Sequence, residues 1–301
     1  KIPPKSKTEV FIQILLASCS YISILTTVGI VFVLLADAVH FFSEVSLINF
    51  LTGTKWAPNI HPVSFGMLPL LTGTLVFTLV TGLIALPIGL FAAIYLSEYS
   101  NHKVRKVIKP MLEVLAGIPT VVYGYFALIY ITPLLSKIFP EIKTFNVLSA
   151  AIVVAIMIIP TITSISEDAM RSVPNSLREA GFSLGASKYQ VSLQIVVPSA
   201  LSGIISSFIL GISRAIGETM AVTIAAGNFA RMVNPLNLNE SLLQPIQTIT
   251  AAMVTIGKSD VTGDSVSYRS IFALGLTLFV ITMILNVISQ KIKSRYREVY
   301  N

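Results

Sequence analysis

A chain of 301 residues that is 54% hydrophobic and 12% charged, with a mean hydropathy of +0.81, is excluded from the soluble globular class, in which roughly 25% of residues are charged. A single cysteine excludes an intrachain disulfide. The formal net charge of +7 is explained by where basic residues fall relative to a membrane, and it gives no reason to expect nucleic-acid binding.

Residues 1–9 form a short basic tail, and six segments long enough to cross a bilayer follow. They are Val10–Ala36, Met67–Leu96, Val114–Ser136, Thr144–Ser166, Val196–Ala226 and Ser270–Gln290. Only the fifth contains charged residues. In the first, Leu16-Ala17-Ser18-Cys19 mimics a lipoprotein cleavage box, but the apolar run continues beyond Cys19 as a membrane span does. Residues 10–301 are therefore expected to be one all-α, polytopic membrane domain. The segments 1–9, 97–113, 167–195 and 291–301 carry 3, 4, 3 and 4 Lys or Arg residues, against 1, 2 and 3 in 37–66, 137–143 and 227–269. Positive charge stays cytoplasmic, so both termini and the 167–195 loop are expected in the cytoplasm, with the 227–269 loop outside. Within that outer loop Leu242, Ile246, Ile249 and Met253 follow helical spacing, which predicts an amphipathic helix outside the membrane over Ser241–Gly257. Gly257-Lys258-Ser259 mimics the end of a phosphate-binding loop, but Ala252 stands where its first glycine belongs. His40, His61 and His102 are scattered, and no cluster has metal-ligand spacing. No nucleophile–base pair is evident, so the chain by itself is not expected to be an enzyme or to bind a cofactor.

The cytoplasmic island Glu167–Gln194 interrupts two apolar stretches. Pro174 suits a helix start, because its missing N–H would be unpaired there, and Gly181 and Gly185 suit bends or close approach. Leu177, Ala180 and Leu184 fall at i, i+3 and i+7, which predicts a short helix with one apolar stripe beside Arg178 and Glu179. A short amphipathic helix between two spans suits docking into a groove of another protein. Glu179-Ala180-Gly181, Gly185, Ile195 and Pro198 have the spacing of the EAA loop of ABC importer permeases, and the segment resembles it. Gly181 replaces a usual second alanine and Val197 a usual leucine. The resemblance implies a coupling helix that contacts an ATPase through Leu177, Arg178, Glu179, Ala180, Gly181, Gly185 and Pro198.

On one continuous helix over the fifth span, Ala200, Gly203, Ser207, Gly211, Arg214, Glu218, Ala221 and Ala225 share a stripe of small residues broken by two charges. Such a stripe lets another helix approach closely or leaves room for a solute. An arginine at mid-span costs about 2.5–3.5 kcal/mol on insertion scales and is tolerated where it faces a cavity or partner. Its guanidinium fork suits an oxyanion. Glu218, one turn on, is expected either to neutralise Arg214 or to keep it from trapping the anion.

Phe65–Pro69 with Gly73-Thr74-Leu75, Ala93–Tyr99, Lys109–Pro119 with Val122-Tyr123-Gly124, Met157–Thr161 with Ser166-Glu167-Asp168, and Arg214–Met220 occur in one order. In that order they resemble the phosphate ABC transporter permeases of the PstC type. The resemblance covers most of the chain from residue 65 on, and of the residues before it only Trp56-Ala57-Pro58 matches. It implies a six-helix type I ABC importer permease of MetI-like architecture, multi-pass in a bacterial or archaeal plasma membrane. It further implies a heterodimer with a homologous PstA-type permease, two PstB-type subunits that carry ATP and magnesium, and an external PstS-type phosphate-binding protein. Arg214 and Glu218, with Ser207 and Gly211 beside them, are expected on the phosphate path. The alternatives are a permease for sulfate, molybdate or phosphonate, or a secondary carrier without ATPases. A role in reporting phosphate status to a membrane kinase is also compatible with the family.

Overall fold

The structure, a computed structural model, describes residues 7–234, 237 and 241–295. It is almost entirely helical. Helix α1 spans Lys7–Glu44 and the short α2 spans Leu47–Thr52; a two-stranded hairpin pairs β1, Trp56–Ala57, antiparallel with β2, Ser64–Phe65. Then follow α3 (Leu68–Ile94), α4 (His102–Gly117), α5 (Thr120–Phe126), α6 (Thr132–Ser136), α7 (Val147–Arg171) and α8 (Asn175–Ser183). After α9 (Lys188–Gln190) and α10 (Val197–Ser199) come α11 (Leu201–Gly217), α12 (Met220–Ala225), α13 (Ile249–Gly257) and α14 (Val266–Arg295). Single π turns lie at Tyr95–Tyr99, Ala127–Ile131 and Val191–Val196, a distortion common at functional sites.

Four uninterrupted helices have the length and hydropathy to cross a membrane: Thr8–Glu44, Leu68–Tyr99, Val147–Arg171 and Val266–Ile292. Two more spans arise only if bent pairs are counted as one each, His102–Gly117 with Thr120–Ser136 at 89° and Lys188–Ser199 with Leu201–Gly217 at 71°. The expected third and fifth spans are therefore broken rather than straight. In the third, Ile118 is extended at φ −66°, ψ 131°, because a following proline disfavours the helical region for the residue before it. In the fifth, the helix stops again at Glu218, φ −67°, ψ 131°.

Helix α7 is the centre of the molecule. Asn146 caps its start, the side-chain oxygen accepting the Ser149 N–H at 2.7 Å. Its residues Ala150, Ala151, Val154, Met157, Ile158 and Ile162 are fully buried, as expected of a helix apolar on all sides. It packs against α3, α4, α5, α11 and α12. A second core gathers Phe41, Phe50, Trp56, Phe65 and Leu70 with Ile249 and Leu274, its aromatic rings meeting edge to face at 5.3–6.1 Å. Helix α1 packs against α14 and otherwise exposes large apolar side chains such as Phe11, Leu25 and Phe32, a surface that in a bilayer meets lipid or a neighbouring subunit.

The helix expected over Ser241–Gly257 forms mainly in its second half, and its apolar side is buried in the bundle. Helix α13 begins only at Ile249, and Ile246 and Ile249 are fully buried. The Ile249 N–H donates to Thr74 Oγ1 on α3 at 3.0 Å, and α13 packs against α3, α12 and α14. Apolar residues at helical spacing need a dry face, and here the bundle supplies it.

Candidate functional site

The loop over residues 172–195 folds as a helix followed by a tight reversal. Helix α8 starts after Pro174, which is extended at φ −57°, ψ 139° and caps the helix from outside it. Leu177 packs against the cluster of Ala93, Met170, Val173, Val191 and Val196. Gly181 is buried; a Cβ there would lie 2.6 Å from Ile195 Cδ1 and 3.0 Å from Val191 Cγ2, so a larger residue requires those side chains to give way. Gly185 adopts φ +80°, the left-handed residue that commonly ends a helix, and a Cβ there would meet nothing within 4 Å. Its glycine serves the backbone, not close packing within the chain. The expected stripe of Leu177, Ala180 and Leu184 does not form. The helix ends at Ser183, so Leu184 points outward at 90% exposure, and Ala180 is exposed beside Glu179. Phe182 and Tyr189 are also exposed, giving the free side of the loop an apolar surface. Pro198 lies exposed in α10, after the π turn. Arg178 faces inward instead, with only 15% of its side chain exposed.

Beside this loop, the acidic end of α7 is held by α4. Glu167 is fully buried; Lys109 Nζ donates to its Oε2 at 3.0 Å, and Arg105 Nη2 makes a 2.7 Å charge contact with Oε1. Lys109 also donates to Asp168 at 2.8 Å. Lys109 of α4 is thus tied to both carboxylates at the end of α7.

The second site is at the broken fifth span. Gly203, Ser207 and Gly211 of α11 all face α7: Ser207 shares a 2.6 Å hydrogen bond with Ser166, and a Cβ on Gly211 would lie 2.9 Å from Ile162. The small residues thus serve close helix approach, and Ser207 and Gly211 are buried in the α7–α11 seam rather than along an open passage. Arg214, in the last turn of α11, donates from Nη1 to Thr161 Oγ1 of α7 at 3.1 Å. Tyr123 of α5 donates its hydroxyl to the Leu115 carbonyl at 2.8 Å. Glu218 does not pair with it: among the described residues no ion pair joins the two. The break at Gly217–Thr219 removes the one-turn spacing that such a pair requires. Glu218 instead accepts the Ala221 N–H through Oε1 at 3.1 Å, tying down the start of α12, and its own carbonyl accepts Thr250 Oγ1 at 2.9 Å. Thr161, Tyr123 and Thr250 were not singled out from sequence; the only available sign was that Thr161 and Tyr123 lie in the proline-containing segments Met157–Thr161 and Lys109–Gly124. A cavity of about 230 Å³ between α4 and α7 is lined by Thr161 and Ser164 as well as by Lys109, Glu113 and Glu167. Among the described residues no group of three His, Cys, Asp or Glu could hold a metal ion.

Four membrane-length helices, two bent helix pairs, a loop helix with an exposed apolar side and a half-buried arginine at the end of α11 suit a transport permease. Residues 85–298 match the family described as "Binding-protein-dependent transport system inner membrane component", and the chain belongs to that family. It is 34% identical over 289 residues to the "Probable ABC transporter permease protein YqgH" of Bacillus subtilis, covering 95% of this chain and 91% of that one. It is 36% identical over 263 residues to the "Phosphate transport system permease protein PstC" of Xylella fastidiosa, covering 81% and 78%. Its fold is similar to that of a chain in an inward-facing MetNI methionine ABC transporter structure, with a TM-score of 0.59 at 17% identity over 75% of this chain and 94% of the other. The architecture is that of MetI-like ABC importer permeases, a multi-pass membrane protein.

Proposed function

We propose that this chain is the membrane subunit through which inorganic phosphate enters the cell, driven by ATP hydrolysed on separate subunits docked against α8. Phosphate is the cargo named for relatives at 30–36% identity, and the observation that carries the reading here is Arg214. Its guanidinium makes one side-chain hydrogen bond, to a neutral threonine, and no ion pair among the described residues, so the charge and the remaining donors are free for an oxyanion. Glu218, fixed by Ala221 at the head of α12, sets where the span breaks and does not neutralise the arginine. The free side of α8, with Glu179, Ala180, Phe182 and Leu184 outward, is the surface offered to a PstB-type ATPase. A PstA-type permease would complete the membrane part and a PstS-type protein would deliver phosphate from outside. Both termini and α8 face the cytoplasm in this arrangement, because that side holds the more basic segments.

The test is uptake of labelled phosphate by vesicles holding the full complex, with the membrane potential collapsed and ATP supplied inside. The reading predicts uptake that needs ATP, an ATPase that copurifies, and no displacement by excess sulfate or molybdate. Uptake driven by a proton gradient without ATP, or displacement by sulfate, would reject it.

A further inference from the structure

We infer that Arg178 is a positioning residue that ties the docking helix to the spans, so that movement imposed on α8 is delivered to α7 and α3. This rests on the proposal that α8 docks an ATPase. Among the residues expected at that docking surface, Arg178 is turned away from it. Its guanidinium reaches acceptors on two separate spans: Nε and Nη2 donate to Glu98 at 3.2 and 2.9 Å, Nη2 to the Met170 carbonyl at 2.8 Å, and Nη1 to the Val173 carbonyl at 2.7 Å. Asn175 Oδ1 is a longer fourth partner at 3.4 Å.

Glu98 belongs to the π turn that ends α3; its side chain is only 8% exposed and also accepts the Ser97 hydroxyl at 2.7 Å. Met170 lies in the last turn of α7 and Val173 two residues beyond its end. One arginine thus joins the cytoplasmic ends of two packed spans to the helix that follows them. Without it, α8 would keep the apolar packing of Leu177 and Gly181 against the Val191–Val196 turn but would have, among the described residues, no side-chain hydrogen bond to the end of α3 or α7. With it, α8 and the end of α7 share a planar fork whose loss strands a buried carboxylate and two carbonyls. The same α7, nine residues or about 14 Å further along, carries the Thr161 hydroxyl that holds Arg214. The physical line from docking surface to the unpaired arginine therefore runs through Arg178 and one rigid helix.

The test uses the whole complex in proteoliposomes and reads phosphate imported per ATP hydrolysed for Glu98→Gln, Arg178→Lys and the two combined. Glu98→Gln keeps shape outside the docking loop, and Arg178→Lys keeps the charge without the fork. Each single variant should lower the ratio by about tenfold, within the usual range of coupling between sites. The double variant should fall no further, because both changes remove one shared interaction. A wild-type ratio in variants that retain their ATPase would overturn the inference. So would loss of the ATPase from both variants, which would make the pair a support for folding or docking. Failure of the docking proposal itself is distinguishable, because wild-type membranes would then yield no ATPase with this chain.

Discussion

Glu167 and Arg214 are two costly charges that both meet α7, and the protein treats them in opposite ways. Glu167 is fully buried, yet Arg105 and Lys109 surround it and Arg171 stands 3.9 Å away. Arg214 is half-buried and, among the described residues, its side chain hydrogen-bonds the Thr161 hydroxyl and forms no ion pair. A buried charge held for architecture is neutralised on the spot, because removing it from water unpaired costs several kcal/mol. One left with free donors needs a different account, and the anion binding proposed above would supply it. The contrast separates a charge that fastens α4 to α7 from a charge kept available.

The comparison is sharpest in mutants, taken from the largest effect down. Arg214→Ala should cut phosphate uptake by about a hundredfold, the weight of about 3 kcal/mol of charge-assisted hydrogen bonds, while the complex still assembles. Arg214→Lys should recover little, since an ammonium lacks the planar fork. Glu167→Gln should do the reverse. It leaves Arg105 facing a neutral amide, and breaking a buried pair costs on the order of 3 kcal/mol. Thermal melting in detergent should show the loss, whereas the affinity of the remaining folded protein for phosphate should not change. If Glu167→Gln altered affinity and left melting untouched, the division between the two charges would fail. Gly181→Val should come next, by driving a side chain into Ile195 and Val191; overpacking of this kind costs about 1–3 kcal/mol and should reduce ATPase copurification.

Gly185 gives the smallest and most discriminating effect. Gly185→Ala should cost about 1 kcal/mol for the left-handed backbone alone, with uptake nearly retained. Gly185→Asn tolerates that backbone yet adds a side chain on the outward surface, so a larger drop in ATPase copurification than for the alanine would locate the contact there. Equal behaviour of the two would place the docking face elsewhere.

Four of the spans and their order were legible in the sequence because length and hydropathy alone set them. The breaks were not. Ile118-Pro119 carried a local signal, the restriction that proline places on its neighbour, but the apolar run continued across it. At Glu218 the carboxylate looked like a partner for Arg214 because i,i+4 spacing presumes an unbroken helix, and the break depends on contacts to Ala221 and Thr250 that no local pattern announces. Arg178 lay in a segment whose short helix was legible, but its direction was set by Glu98, 80 residues earlier. Ile246 and Ile249 show the same limit: their spacing called for a dry face and could not say whether lipid or the bundle provides it.

The account rests on Arg214 acting on the anion rather than balancing Glu218. Phosphate uptake by the Arg214→Ala, Glu218→Ala double variant, in membranes where its expression and ATPase association match wild type, tests that most directly. Uptake should stay as low as in Arg214→Ala alone. Restoration of substantial uptake would mean that the two charges merely offset each other, and would contradict the assignment.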